Sequence, residues 1–413
     1  MNKKMKVFSG AILASLTAAS LAACSGGDSG KTELEFFSTK GENNKTYQKL
    51  ISEFEKKNPK IDVKLVQPPD AGTVMKTRLT KNDIPDVMAI GGDSLYGELA
   101  RAGVLKDVKG SDLIKDVQPS YLDMTAKLVG VEKNGVYGVP YAANANAVIY
   151  NKDKFKELGV EVPKTWDEFI AIAEEAKAHG ETGFYFTLKD AWTGMVSWNS
   201  LGAALQGEDF AEKRSKGKAS FTKNYDEAAD KFQTLLKYGH KDNFGKTYND
   251  GNTAFAQGKS VMYLQGVWAI PEIVKANPDI NLGIFPMPVT NNPEENKLVS
   301  GVDVMLAIDE ESDHQKEAEK FIQFLLEKEN VQTYVDEQSA FSAIKDVYQE
   351  DPKLEGIKEN FEKGTITSFP DHYYPQGMNA ANILQEFLIG KKTNKEEFLK
   401  KMDKEWDKVE ERK

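Results

Sequence analysis

Between residues 32 and 102 the spacing of apolar side chains switches repeatedly between two periods. Thr32 to Ser38 alternates, with Leu34 and Phe36 set against Glu33 and Glu35. Tyr47, Leu50, Ile51 and Phe54 then fall on one helical stripe, which Asn58-Pro59 ends. Ile61 to Val66 alternates again, Arg78 and Leu79 lie in a helix before Asp83, and Ile84 to Ile90 is mostly apolar. Gly91-Gly92-Asp93-Ser94 leads into a helix carrying Leu95, Leu99 and Ala100. Strands joined through helices cannot form hairpins; they form a parallel sheet, and the chain is α/β. In such sheets ligands gather at the carboxyl ends of strands. Lys40 and Glu42 follow the first strand and Asp93 the third, so they are candidate ligand residues. Any one of them alone fits a solvated loop charge equally well.

At 413 residues the chain exceeds the size at which one core stops growing, so two domains are expected. The stretch Val136 to Ala173 reads as the join. Tyr137, Val139 and Tyr141 alternate, the small and polar residues Ala142 to Asn146 read as extended backbone on the floor of a cleft, with an ordinary surface loop as the alternative, and Val148 to Tyr150 is a second extended run. A short helix stops at Gly159, and Thr165 with Glu168 caps a longer one. Downstream, strands are expected at Gly183–Leu188, Ser260–Leu264, Ile284–Val289 and Val302–Ile308. Ser312 and Gln315 predict a capping box for a helix burying Ala318, Phe321, Ile322 and Leu325. The C-terminal part is helical, with stripes at Ile383, Leu384 and Phe387 and at Leu399, Met402 and Trp406.

The first residues belong to processing rather than to the fold. Lys3, Lys4 and Lys6 precede a short apolar run, Val7 to Ala19, too short to span a bilayer comfortably. Leu21-Ala22-Ala23-Cys24 follows, and then the Gly/Ser stretch 25–30; this resembles a bacterial lipoprotein signal. Residues 1–23 are thus a signal peptide, Cys24 the lipidated N-terminus and 24–30 a flexible tether. Cys24 is the single cysteine, which excludes an internal disulfide, a cysteine nucleophile and a cysteine metal site. Formal charge is −10, and about −13 once the three lysines leave with the signal. Such a chain lacks the basic excess that a nucleic-acid partner needs.

The spacings of phosphate-binding loops, zinc proteases, serine hydrolases and dinucleotide-binding folds are missing, and the four histidines are scattered. Carboxylate pairs suited to glycoside hydrolysis remain open, since 64 acidic residues always offer candidates. More informative are aromatic residues just after strands: Trp192 in DAWT, Trp268 in GVWA, and Tyr373-Tyr374 between Pro370 and Pro375. Flat rings cover the C–H face of a sugar, while polar side chains bond its hydroxyls. Trp166 and Trp406 lie on apolar helical stripes and are assigned to core. Adjacent tyrosines at 373–374 also fit phenolate ligation of iron, but the flanking prolines and strand-end tryptophans suit carbohydrate better.

In order along the chain, FEKKNPKIDVKLV at 54–66, IPDVMAI at 84–90, AGVLKDV at 102–108, YGVPYAANANAVIYNKDKFKELGVEVPKTWDEF at 137–169, DAWT at 190–193, FAQGKSVMYLQGVWA at 255–269 and SGVDVMLAI at 300–308 resemble the extracellular solute-binding proteins of bacterial sugar ABC transporters. The raffinose and multiple-sugar branch is the most similar. The resemblance implies a two-lobe periplasmic-binding-protein-like fold with a hinge and an interlobe cleft. Lobe one is placed at 31–143 plus 300–339 and lobe two at 144–299 plus 340–413. It also implies ligand-facing roles for Lys40, Glu42, Asp93, Asn144, Trp192, Trp268, Asp303 and Tyr374. Where raffinose-type members carry a longer aromatic segment, this chain has DHYYPQGMN at 371–379, which leaves the sugar open. The expected function is oligosaccharide binding by cleft closure and delivery to an ABC permease. The protein would work as a monomer without cofactor or turnover, held by lipid on the outer face of a Gram-positive cell membrane. A cell-surface glycan-active enzyme and a glycan-binding adhesin or sensor accessory are the alternatives.

Overall fold

The computed structural model describes residues 30–412, apart from 131–133, 208, 376 and 391–393. The expected signal peptide, Cys24 and all of the expected tether except Gly30 lie outside these residues. Ten strands are hydrogen-bonded into one sheet: β1 (Thr32–Ser38), β2 (Ile61–Val66), β3 (Val87–Ile90), β4 (Val139–Asn151), β5 (Phe184–Tyr185), β6 (Met262–Gly266), β7 (Leu282–Phe285), β8 (Leu298–Ile308), β9 (Phe341–Ser342) and β10 (Ile366–Thr367). The main path runs β2-β1-β3-β8-β4-β6-β5, with β7 and β9 on β4 and β10 on β8. As the alternating pattern requires, β1 pairs in parallel with β2 and β3. β3 begins at Val87 rather than Ile84, because Pro85 has no N–H to offer and the Asp86 carboxylate accepts from the Glu35 N–H (2.9 Å) and the Ser312 hydroxyl (2.6 Å).

Two separate cores flank this sheet. Helix Asn44–Lys57 lays Tyr47, Leu50, Ile51 and Phe54 on β1, where they meet Phe321 and Leu325 of helix Gln315–Leu325. A second core gathers Phe169, Trp198, Phe232, Phe398 and Trp406 from helices around the other end of the sheet. A third cluster links them, running from Met88 and Leu99 through Ala143 to Phe255 and Ile270. No described helix is long and apolar enough to cross a membrane.

The stretch Ala142–Asn146, expected as extended backbone between two blocks, is the middle of β4, a single strand of 13 residues. Its short side chains carry little strand preference. Here they permit close approach, since the strand is buried on both faces between β8 and its other neighbours. The register shifts at Pro140/Ala142 and Ala142/Ala143. Before Asn146 the strand pairs with β8; from Asn146 on it pairs with β6, and from Val148 also with β7. β4 and β8 therefore run side by side through the junction of the two cores. The Thr165/Glu168 capping box forms as expected. The Ser312/Gln315 box does not: His314 occupies the cap position without a side-chain bond, while the Ser312 hydroxyl accepts from the His314 N–H (3.0 Å) and donates to Asp86, and Gln315 Oε1 accepts from Lys106 (2.6 Å).

Candidate ligand-binding cleft

Sequence-distant loops converge where β4 crosses the junction. On one side the turn after β1 brings the Lys40 ammonium to 2.5 Å from Asp303 Oδ1 in β8. Asn144 Nδ2 of β4 donates to the same oxygen, and Glu42 stands 3.7 Å from Lys40. Burial alone would lower the Lys40 pKa, but Asp303 and Glu42 outweigh it and hold the ammonium above its ordinary value. Lys40, Asn144 and Asp303 thus form one knot of charge and amide. Asp93 caps helix Ser94–Ala102 by accepting from the Leu95 N–H at 2.8 Å. Burial raises its pKa and His372 opposes the rise.

Opposite stand the aromatics. Trp192 opens helix Trp192–Leu205 and is 43% exposed, so its ring is presented rather than packed away. Trp268 follows β6, folded back over Gly266: a Cβ at that glycine would stand 2.1 Å from the indole. A cavity of about 380 Å³ lies between these groups. Its wall takes Asn144 and Asn146 from β4, both tryptophans, Asn199, and a C-terminal run from Phe369 to Ala381.

Four of the eight residues expected at the site line this cavity: Asn144, Trp192, Trp268 and Tyr374. Lys40, Glu42 and Asp303 adjoin it through Asn144, and Asp93 through His372. Tyr374 sits at the margin in a second sense. It is 4% exposed, its hydroxyl is 2.9 Å from that of Tyr225 and accepts from Trp198 Nε1 at 3.3 Å. Its polar end therefore belongs to the second core, which also removes it from any phenolate ligand set.

Asn146, Asn199, Asp371 and His372 were not singled out by the sequence patterns. Asn199 does leave a trace there, as an amide within an otherwise apolar helix, WTGMVSWNSLGAAL. Its Oδ1 accepts from the Asp371 N–H at 3.1 Å. Asp371 is half-buried with its Oδ1 shut off from solvent, and desolvation pushes its carboxyl up to about 6, with Asn199 opposing. His372 stacks on Phe369 at 4.7 Å, and burial lowers its pKa against the pull of Asp93 and Asp303.

The chemistry of the wall follows from what it leaves unpaired. Asn144 Oδ1, Asn146 Oδ1, Asp371 Oδ1 and Trp268 Nε1 are all buried without a hydrogen-bond partner among the described residues, and all four belong to cavity-lining side chains. Each such group costs about 1–3 kcal/mol if it stays unpaired. Three acceptors and one donor beside flat rings suit a molecule with hydroxyls on its edge and C–H groups on its faces.

Comparison with known proteins agrees with this geometry. Residues 38–332 match the family described as bacterial extracellular solute-binding protein. The chain belongs to that family. A multiple sugar-binding protein of Streptococcus mutans is 34% identical over 351 residues, 81% of this chain and 82% of its own. The melibiose/raffinose/stachyose-binding protein MelE of Bacillus subtilis is 24% identical over 370 residues, 86% of this chain and 84% of its own. Among solved structures, RafE in complex with raffinose superposes with a TM-score of 0.80 at 28% identity, covering 92% of this chain and 100% of that one. The apo form of RafE from Streptococcus pneumoniae gives 0.76 at 29% identity, covering 93% and 99%. The fold is thus the periplasmic-binding-protein-like α/β fold of this family. The family match ends at residue 332, so the Phe369–Ala381 wall of the cavity lies beyond it.

Proposed function

We propose that this protein binds an extracellular oligosaccharide in the cleft and delivers it to an ABC permease, without turnover. The observation that carries the reading is the set of unpaired Asn144, Asn146, Asp371 and Trp268 atoms around one cavity, beside two indoles. Lys40, Glu42, Asp93 and Asp303 contact or orient the sugar from lobe one; Trp192 and Trp268 stack on it from lobe two. Lobe one comprises 31–143 plus 300–347, and lobe two 144–299 plus 348–413; the return to lobe two is set beyond Val347 rather than at the expected residue 340, because Ile344 bridges to Val117 and Val347 joins the first core. β4 and β8 act as hinge strands, and closure is favoured by the extra affinity of the closed form. Cys24 carries the lipid that holds the protein, a monomer, at the outer face of the membrane.

A micromolar sugar supplies roughly −8 kcal/mol, and at a hundredfold excess over Kd it stabilises the fold by about 2.7 kcal/mol. Thermal-shift screening against melibiose, raffinose, stachyose, xylo-oligosaccharides and chito-oligosaccharides should therefore raise Tm by several degrees for at least one. A panel without any stabilisation refutes the reading. The rival, a glycan-active enzyme, draws on the raised Asp371 carboxyl as an acid. Its neighbour Asp93 is committed to capping a helix. Release of chromophore from a glycoside panel would favour the enzyme.

A further inference from the structure

Between the two cleft tryptophans lies a tyrosine that touches both of their segments. Tyr248 opens helix Tyr248–Ala256. Its backbone is pinned by a reciprocal cap, in which the Thr247 N–H donates to Asp250 (2.9 Å) and the Asp250 N–H to the Thr247 hydroxyl (3.2 Å). The Tyr248 N–H donates to Asp190 Oδ2 at 2.7 Å, and the Asp190 carbonyl in turn accepts from the Thr193 hydroxyl at 2.9 Å. Asp190 and Thr193 bracket Trp192 in sequence. The phenol ring lies 5.1 Å from the Trp192 ring at 57°, and its hydroxyl donates to the Trp268 carbonyl at 3.4 Å. Tyr263 closes the arrangement from below, donating to the Tyr248 carbonyl at 3.4 Å. Glu42 and Lys40 face the phenol across the cleft.

We infer that Tyr248 is a positioning residue: a wedge that holds the exposed Trp192 ring at a set angle to Trp268, and so determines how long a saccharide the cleft reads. An indole 43% exposed has little else to fix its rotamer. Trp268, with Nε1 buried, is the deep platform and Trp192 the rim platform. A sugar long enough to cover both depends on their mutual angle; one that reaches only Trp268 does not. This inference rests on the oligosaccharide reading of the cleft.

Calorimetric titration of stachyose and melibiose into wild type, Tyr248→Ala, Trp192→Ala and the double variant tests it. Losing the rim stack costs about 1 kcal/mol, or roughly fivefold in Kd. Tyr248→Ala and Trp192→Ala should each weaken stachyose about fivefold, and the double variant should be no weaker than either, because both remove the same stack. The affinity ratio of stachyose to melibiose should fall by the same factor. Tyr248→Phe, which keeps the ring and the Asp190 bond, should restore stachyose affinity to within about twofold of wild type. Tyr248→Leu runs alongside, should alanine unfold the chain. Acrylamide should quench tryptophan emission more strongly in the sugar-free Tyr248→Ala and Tyr248→Leu proteins. Wild-type stachyose affinity in these variants, or a double variant that loses both factors, overturns the wedge. Failure of the wild type to bind any sugar of the wider panel refutes the proposed function instead; where it binds neither stachyose nor melibiose, the quenching measurement decides the wedge alone.

Discussion

Gly266→Ala places a single methyl group against the proposed deep platform. The added Cβ would stand 2.1, 2.2 and 2.5 Å from three ring carbons of Trp268, well inside any tolerated contact. Backbone strain plays no part, because Gly266 is extended (φ −130°, ψ 179°) and any residue adopts that conformation. The displaced group must be the indole, which is only partly buried and has the cavity beside it. The fold should survive, with Tm within a few degrees of wild type, while the ring leaves its place. A stacked ring contributes about 0.5–1.5 kcal/mol, so affinity for the sugar that stabilises the wild type should fall roughly 2- to 12-fold. The unpaired indole N–H moves with the ring, which places the loss toward the upper end. Isothermal titration at 25 °C reads the affinity, and tryptophan emission reports the ring movement. Trp268→Ala should cost a similar amount, and Gly266→Ala combined with Trp268→Ala should match Trp268→Ala alone to within about 0.5 kcal/mol. Undiminished affinity for that sugar in Gly266→Ala would refute the reasoning, and so would additive losses in the double variant.

Two further expectations separate core from cleft. Tyr374→Phe removes the hydroxyl shared with Tyr225 and Trp198, so urea titration should show a loss of about 1–2 kcal/mol while sugar affinity changes by less than about twofold. Asp371 makes sugar-free stability pH-dependent. Its folded pKa, about 6, lies above the ordinary carboxylate value, so its contribution is full below the unfolded pKa and is lost as pH rises through about 6. Between pH 4.5 and 7.5 the stability of Asp371→Asn should gain about 2 kcal/mol on that of wild type; a constant difference in urea midpoints would refute this.

Local structure was legible wherever neighbours in sequence decide it. β1 and β2 have the expected ends, because alternating residues such as Leu34 and Phe36 face a core built by the next helix. The Thr165/Glu168 cap formed because both partners lie within one turn. Misreadings arose where a distant residue intervened. Ser312 and Gln315 predict a cap, but Asp86 and Lys106 draw their side chains elsewhere. The extended reading of Ala142–Asn146 gives no sign of its partner β8, more than 150 residues later. In the cleft, strand-end position found Trp192 and Trp268, and the family resemblance found Asn144. Asp371 escaped because nothing local distinguishes it from a solvated loop carboxylate; its burial against Asn199 comes from chain segments 172 residues apart. Tyr374 stands out as one of two aromatics between Pro370 and Pro375, a signal that says nothing about which way its hydroxyl points.

The placement of β8 has a consequence for how the chain is made. It lies between β3 and β4, pairing with β3 through Met305–Ile308 and with β4 through Ser300–Leu306. Until residue 308 has emerged from the ribosome, β3 offers an open edge and the first half of β4 lacks its main partner. Open edges are sites of mispairing, and a sheet missing its central strand does not close. The N-terminal core therefore cannot complete itself early, although its first three strands are finished by residue 90. A polypeptide threaded through a translocation pore has to remain unfolded while it passes. This topology delays folding by its order of assembly, without a separate device to hold the chain open.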